Sequence, residues 1–209
     1  MLRSLSRKLG WCAAAGVALA GLAYATTVQR LDFAGLTRLS THVVAGTVNG
    51  STTARTPDGG AIVTLTSVDV AAQWKGQTGA ATITVRTPGG RIGNEVMELS
   101  GSPELRAGDT VLLFLELNPD GTYGVISLAQ GSFRVTTESD GSFWVERDPA
   151  AAELLVAGSP DGKVDAVKVP LWSARADVDA ARILPAPDSD ALPADVQLVD
   201  LVEVKGGAR

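Results

Sequence analysis

Chemistry in this chain has few side chains to draw on. The single His is His42 and the single Cys is Cys12. A Ser-His-Asp triad needs an imidazole to take the serine proton, so His42, beside Ser40 and Thr41, is the one candidate base. Its place at an expected helix-to-strand junction favours a structural role. One His and one Cys cannot assemble a Cys/His zinc site or a disulfide framework. The patterns G-x-S-x-G, S-x-x-K, H-E-x-x-H, the P-loop and G-x-G-x-x-G are absent. Carboxylates remain, because two of them flanking a bond can act as acid and base or nucleophile. Glu95, Glu98, Asp109 and Glu116 are the candidates near expected strands and Gly-rich loops. Asp69 lies within a strong strand, where facing solvent is the default. Asp188, Asp190 and Asp195 form an acidic tract without the D-x-D-x-D-G loop ending in Glu that holds calcium. The sequence thus assigns no catalytic, metal-ligating or cofactor-binding residue, and no cofactor is expected.

The first segment reads as an address. Arg3, Arg7 and Lys8 precede an uncharged apolar run from Leu9 to Leu22. That run is shorter than the roughly 20 residues a transmembrane helix needs. Ala23-Tyr24-Ala25 then supplies a small-x-small site, so residues 1–25 are expected to be a secretory signal peptide cut between Ala25 and Thr26. The alternative is an uncleaved membrane anchor. Cys12 opens the apolar run after Trp11, the wrong place for a lipoprotein cysteine, and would leave with the peptide.

Cleavage removes three of the 18 basic residues and none of the 23 acidic ones, so the formal net charge of −5 becomes −8. An acidic chain lacks the basic footprint of a nucleic-acid binder. At 45% hydrophobic and 20% charged residues, the chain as a whole is not disordered. The expected location is the periplasm, outer envelope or medium, with no stable membrane insertion after cleavage. Without cysteine, the exported chain must rest on its core alone. The bias toward Ala, Gly, Val, Arg and Asp, with few Lys, points to a bacterium with GC-rich DNA.

The elements that must position any site are mostly strands. Residues 28–41 place Val28, Leu31, Leu36 and Leu39 at the spacing of a short amphipathic helix. After that, β-branched or alternating runs cover 42–49, 61–74, 81–87, 92–99, 111–117, 123–128, 132–137 and 142–146. The run at 111–117 (VLLFLEL) is nearly continuous and is expected to be a central, buried strand. Asp-Gly pairs at 58–59, 120–121, 140–141 and 161–162 are strong hairpin signals, since both residues tolerate positive φ. They predict pairing of 43–55 with 61–74, 111–117 with 122–128, and 132–138 with 142–146. The pattern predicts a mainly β fold: a small antiparallel barrel domain over residues 26–147, with a short helix at its N-terminal end. Pro149, Pro160, Pro170, Pro185, Pro187 and Pro193 set residues 148–195 apart as a Pro-rich acidic extension. Residues 196–209 are expected to hold a short helix, with Leu198, Leu201, Val202 and Lys205 on one face.

Exposed aromatics can mark a carbohydrate or partner surface. Trp74, Trp144 and Trp172 are the tryptophans of the expected mature chain. Packing in or at the edge of the core is the default for each.

Several segments together resemble a known family. They are Val43-Val44-Ala45-Gly46-Thr47-Val48, Val68 to Gly76 ending in Trp-Lys-Gly, Thr82 to Gly90 (TITVRTPGG), Gly108 to Leu115 (GDTVLLFL) and Leu128 to Val135 (LAQGSFRV). This order, over roughly residues 30–137, resembles an uncharacterised family of secreted bacterial proteins found near matrixin-like metalloproteases. More distantly, it is similar to the netrin/TIMP-like module, which implies an OB-like barrel. TIMP-like inhibitors reach a catalytic zinc with a Cys at the mature N-terminus. Thr26 stands there in this chain, so that device is not carried over.

Three functions follow as expectations. The first is an exported, non-enzymatic binding or accessory module, its partner a secreted protein such as a protease and its site a barrel face or a loop such as Pro88 to Gly101. The second is an exported hydrolase using carboxylates or a metal. The third is a structural envelope protein held by an uncleaved N-terminal helix.

Overall fold

The computed structural model describes residues 27–156 and 163–182. The expected signal segment 1–25 with its Ala25–Thr26 cut, the Asp161-Gly162 turn, residues 183–195 and the expected helix over 196–209 lie outside them. Among the described residues no helix is long and apolar enough to cross a membrane.

The strands are β1 (Thr27–Val28), β2 (His42–Arg55), β3 (Ile62–Lys75), β4 (Thr82–Pro88), β5 (Gly90–Ile92), β6 (Glu95–Met97), β7 (Thr110–Leu117), β8 (Tyr123–Val125), β9 (Ser132–Thr137), β10 (Phe143–Arg147), β11 (Leu155–Val156) and β12 (Lys168–Pro170). The helices are α1 (Phe33–Leu39) and α2 (Leu171–Ala181), with 3-10 turns at Leu128–Gly131 and Pro149–Glu153. The chain is mainly β, with a short helix near its N-terminal end. One sheet runs in the order β12-β10-β9-β7-β2-β3-β4-β8, and β8 also pairs with β7. Within it only β4 and β8 run parallel. Each of the three predicted hairpins forms, as β2–β3, β7–β8 and β9–β10.

The β7 run is buried on both faces, as its continuous apolar sequence predicts. Successive strand residues point to opposite sides, so Leu112 and Phe114 enter one core while Val111, Leu113 and Leu115 enter another. The first core joins Phe33 and Leu36 of α1 to Val43, Trp74, Phe133, Val145, Ala174 and Val178. Phe33 stacks on Phe133 at 4.8 Å between ring centres, and Phe114 meets Phe133 at 5.8 Å. The second core joins Val44, Val48, Val68, Ile83, Val85 and Tyr123. A smaller third cluster lies where β1 and β11 meet.

The helix expected over 28–41 is confined to seven residues. Asp32 caps it by accepting from the Gly35 N–H at 2.7 Å. Val28 goes instead to β1, which pairs in parallel with β11. The expected strand over 92–99 is likewise different: β5 and β6 form a separate two-stranded hairpin. The described part of the 148–195 stretch packs into the domain. There β12 pairs with β10, and α2 sends Ala174 and Val178 into the first core. Those residues, with Ala181, recur at the i, i+4, i+7 spacing of one helical face. Their small size hides the stripe among Ser, Arg and Asp.

In the three described Asp-Gly turns only the glycine takes positive φ, at Gly59, Gly121 and Gly141. The aspartate acts through its carboxylate. Asp120 accepts from the Thr122 N–H at 3.0 Å and hydroxyl at 2.6 Å, and Asp140 accepts likewise from Ser142 at 2.9 and 2.6 Å. Asp58 accepts from the Thr56 hydroxyl and the Gly60 N–H. These hydrogen bonds, the hydroxyl one foremost, hold all three carboxyls below the usual carboxylate range. Such a group stabilises the fold above its unfolded pKa, and that contribution is lost as pH falls through the lower folded value. Asp148 has the opposite sign. Burial pushes its carboxyl up, so its contribution is present at low pH and lost as pH rises through the raised value. The urea midpoint is therefore expected to fall as pH drops below about 4, and to fall less steeply in D140N. A midpoint flat across this range, or the same slope in D140N, contradicts the assignment.

Candidate functional site

The expected chemical residues do not converge. His42 is buried where α1 meets β2; its Nδ1 lies 2.9 Å from the Thr41 hydroxyl and its ring meets Tyr123 edge-on at 5.1 Å. The Ser40 hydroxyl donates to the Thr37 carbonyl at 3.1 Å. His42 is therefore a packed junction residue. Glu95 is held by Arg55, and Asp109 by Arg134 at 3.2 Å. Asp109 precedes β7 and Glu116 lies near its far end, about 23 Å apart at strand rise. Asp69 is exposed on β3 and accepts from the Thr82 hydroxyl at 2.7 Å. Among the described residues no group of three or more His, Cys, Asp or Glu is placed to hold a metal.

Among the described residues, two recesses bear on function. One, of about 420 Å³, lies under the expected Pro88 to Gly101 loop. Its floor is Thr64, Thr66 and Thr87, and Glu98, Glu104 and Glu153 stand around it. Its wall is pinned from the chain's later part. Glu153 accepts from the Gly101 N–H at 3.3 Å, and buried Asp148 accepts from the Glu104 N–H at 2.9 Å. Glu104 is itself paired with Arg106. This cleft is polar, and two of its three glutamates are engaged, Glu104 with Arg106 and Glu153 with the Gly101 N–H.

The second recess, of about 560 Å³, is an aromatic groove between β10, β12 and the start of α2. Its lining includes Trp74, Phe143, Trp144, Pro170, Leu171, Trp172 and Arg175. Trp172 is 75% exposed and Phe143 54%. The local sequence explains the placement. Pro170 has no N–H to extend the edge strand and a φ suited to starting a helix, so Val169-Pro170-Leu171-Trp172 turns sharply from β12 into α2. Trp172 and Arg175, three residues apart, share a helix face, away from the face that buries Ala174 and Val178. Phe143 begins β10 at the tip of the β9–β10 hairpin.

The polar groups around the groove already have partners. Ser142 accepts from Trp144 Nε1 at 2.9 Å and donates to Asp140. Arg175 donates to Asp179 at 2.8 Å and lies 5.3 Å over the Trp74 ring. Lys168 lies 5.6 Å over the Trp144 ring and pairs with Glu138 and Glu146, whose hydrogen bonds push its pKa up to about 12. An occupant would be recognised through apolar contact and stacking. Trp74 fits the core expectation and Trp144 is half-buried, but Trp172 departs from it. The missed partners are Phe143 and Arg175. The signal available was the Val-Pro-Leu-Trp turn, read within a stretch taken for an extension.

No protein-family model matches the chain, and no curated protein matches it.

Proposed function

We propose that this chain is an exported, non-enzymatic binding or accessory module built on an OB-like barrel. The observation that carries the binding reading is the open aromatic groove at Trp172 and Phe143. A contiguous apolar surface of this kind on a soluble domain marks an interaction site, and Trp is the side chain most often found at the energetic centre of interfaces. The barrel reading is supported by the cycle of pairings β2–β3–β4–β8–β7–β2, with β4–β8 parallel. Export rests on residues 1–25. The partner is a co-exported protein, with a protease of the neighbourhood that the family resemblance implies as the first to test.

The test is co-purification from the native envelope or medium. The native chain is expected to retain a partner that W172A loses, while the unfolding free energy of W172A stays within about 0.5 kcal/mol, as for surface substitutions in general. Equal retention by both proteins, or no retained partner, removes this reading.

A further inference from the structure

We propose that the polar cleft is a binding site for a small organic cation, a primary ammonium on an alkyl stem. It is separate from the aromatic groove and does not depend on it. The floor carries the first observation. Alternate residues of a strand face one side, so Thr64 and Thr66 continue the row of Val68 on β3, and Thr87 continues the row of Ile83 and Val85 on β4. Thr64 stands directly opposite Thr87, and Thr66 opposite Val85. Val68, Ile83 and Val85 belong to the second core. The rows thus change from Val and Ile to Thr where the cleft begins. Thr66 is 1% exposed and Thr87 5%. The Thr64 hydroxyl donates to the Gly89 carbonyl at 2.8 Å. Those of Thr66 and Thr87 bond to no described residue and keep their open side to the cleft. A buried hydroxyl without a partner costs stability, and the methyl that Val would place there does not. Packing alone would therefore select Val at both positions. Water satisfies such hydroxyls, and the carboxylates decide what displaces it.

Glu98, Glu104 and Glu153 line the cleft, and none of its described lining residues is basic. Glu104 pairs with Arg106 from outside the lining, while Glu98 has no ion pair or hydrogen bond among the described residues. Three carboxylates against one guanidinium leave an excess of negative charge at the rim. An ammonium brings donors for carboxylate and hydroxyl alike. Its stem would lie against Met97, Leu99 and Leu105, which share the lining. A metal ion fits less well, since no three His, Cys, Asp or Glu among the described residues are placed to hold one. The cleft also holds its own shape. The Ser102 hydroxyl donates to the Pro88 carbonyl at 2.8 Å, and the Glu104 N–H to Asp148 at 2.9 Å. Its wall is thus fastened on both sides, and an occupant need not order it. A volume of about 420 Å³ lies within the range of small-molecule sites.

The test is calorimetric titration of the full chain with n-pentylamine, protonated at neutral pH, and with 1-pentanol as the uncharged probe of the same length. Saturable binding of the amine alone is expected. E98Q and T66V are each expected to weaken it roughly tenfold, the scale of one charge-assisted hydrogen bond, and W172A to leave it unchanged. T66V is expected to unfold at the same urea concentration as the parent or a higher one, so its loss of binding is not a loss of fold. No saturable binding, or equal binding of the alcohol, overturns the proposal. So does an affinity that E98Q or T66V leaves unchanged, which would mean that the amine meets only the acidic surface at large. Displacement of the amine by equimolar calcium overturns it too, and assigns the carboxylates to a metal. A lower urea midpoint in T66V shows that hydroxyl serving the fold, and likewise overturns the proposal.

Discussion

Replacing Phe133 with Ala is expected to lower the unfolding free energy by about 4 kcal/mol, the middle of the range for a fully buried aromatic. Phe133 has no exposed surface and joins three parts of the chain. Its ring stacks on Phe33 of α1, meets Phe114 of β7, and lies 5.3 Å beneath the Arg147 guanidinium. Arg147 is itself buried, donating to the Leu31 carbonyl at 3.0 Å, and burial pushes its pKa down. Ala at 133 would leave a cavity and remove the ring on which that buried cation rests. The loss is a large share of the about 5–15 kcal/mol typical of a domain. Urea unfolding checks it as a shifted midpoint at unchanged slope. A loss under about 2 kcal/mol would mean that the cavity collapses or that the ring is not held as described.

Gly76→Ala is expected to cost about 3 kcal/mol, from two sources. Gly76 sits at φ +70°, where a side chain costs about 1–2 kcal/mol. A Cβ there would also stand 2.7 Å from the Thr41 carbonyl oxygen and 2.5 Å from the His42 ring, and such overpacking costs about 1–3 kcal/mol. The oxygen belongs to the backbone, so relief requires moving the α1–β2 junction. That junction is held from the same tripeptide. Lys75 Nζ donates to the Thr37 and Ser40 carbonyls at 2.6 and 2.7 Å, capping the end of α1, and Trp74 is in the core. The expected result is a lower urea midpoint with weakened protection of the α1 amides in hydrogen exchange. Stability within about 1 kcal/mol of the native chain would sink the account.

How far the sequence disclosed this molecule depended on the range over which each signal acts. Asp-Gly turns are local, so three hairpins were readable with their partners. The continuous apolar run of β7 reports burial on both faces, and both cores use it. Trp-Lys-Gly stood out as a motif, but its reason is a contact between β3 and the end of α1, which no local pattern displays. Val28 fitted a helical stripe with Leu31, Leu36 and Leu39, yet a strand more than a hundred residues downstream claims it. The α2 stripe of Ala174, Val178 and Ala181 is apolar in position but weak in hydropathy, so it read as part of an extension. The groove was missed for the same reason. Trp172 was visible as a residue, but its exposure depends on β12 and α2 being folded elements.

The chain's early residues are satisfied by its late ones. Thr27 pairs with Leu155, the Leu31 N–H donates to the buried Gln130 side chain at 3.0 Å, and the Leu31 carbonyl receives Arg147. A polypeptide is delivered from its N-terminus, so residues 27–31 emerge about a hundred residues or more before the partners they need. Long loops must close before those contacts reward the closure, which slows folding. The hairpins can form as the chain appears, but the seam between β1 and β11 cannot be joined until β11 has been delivered.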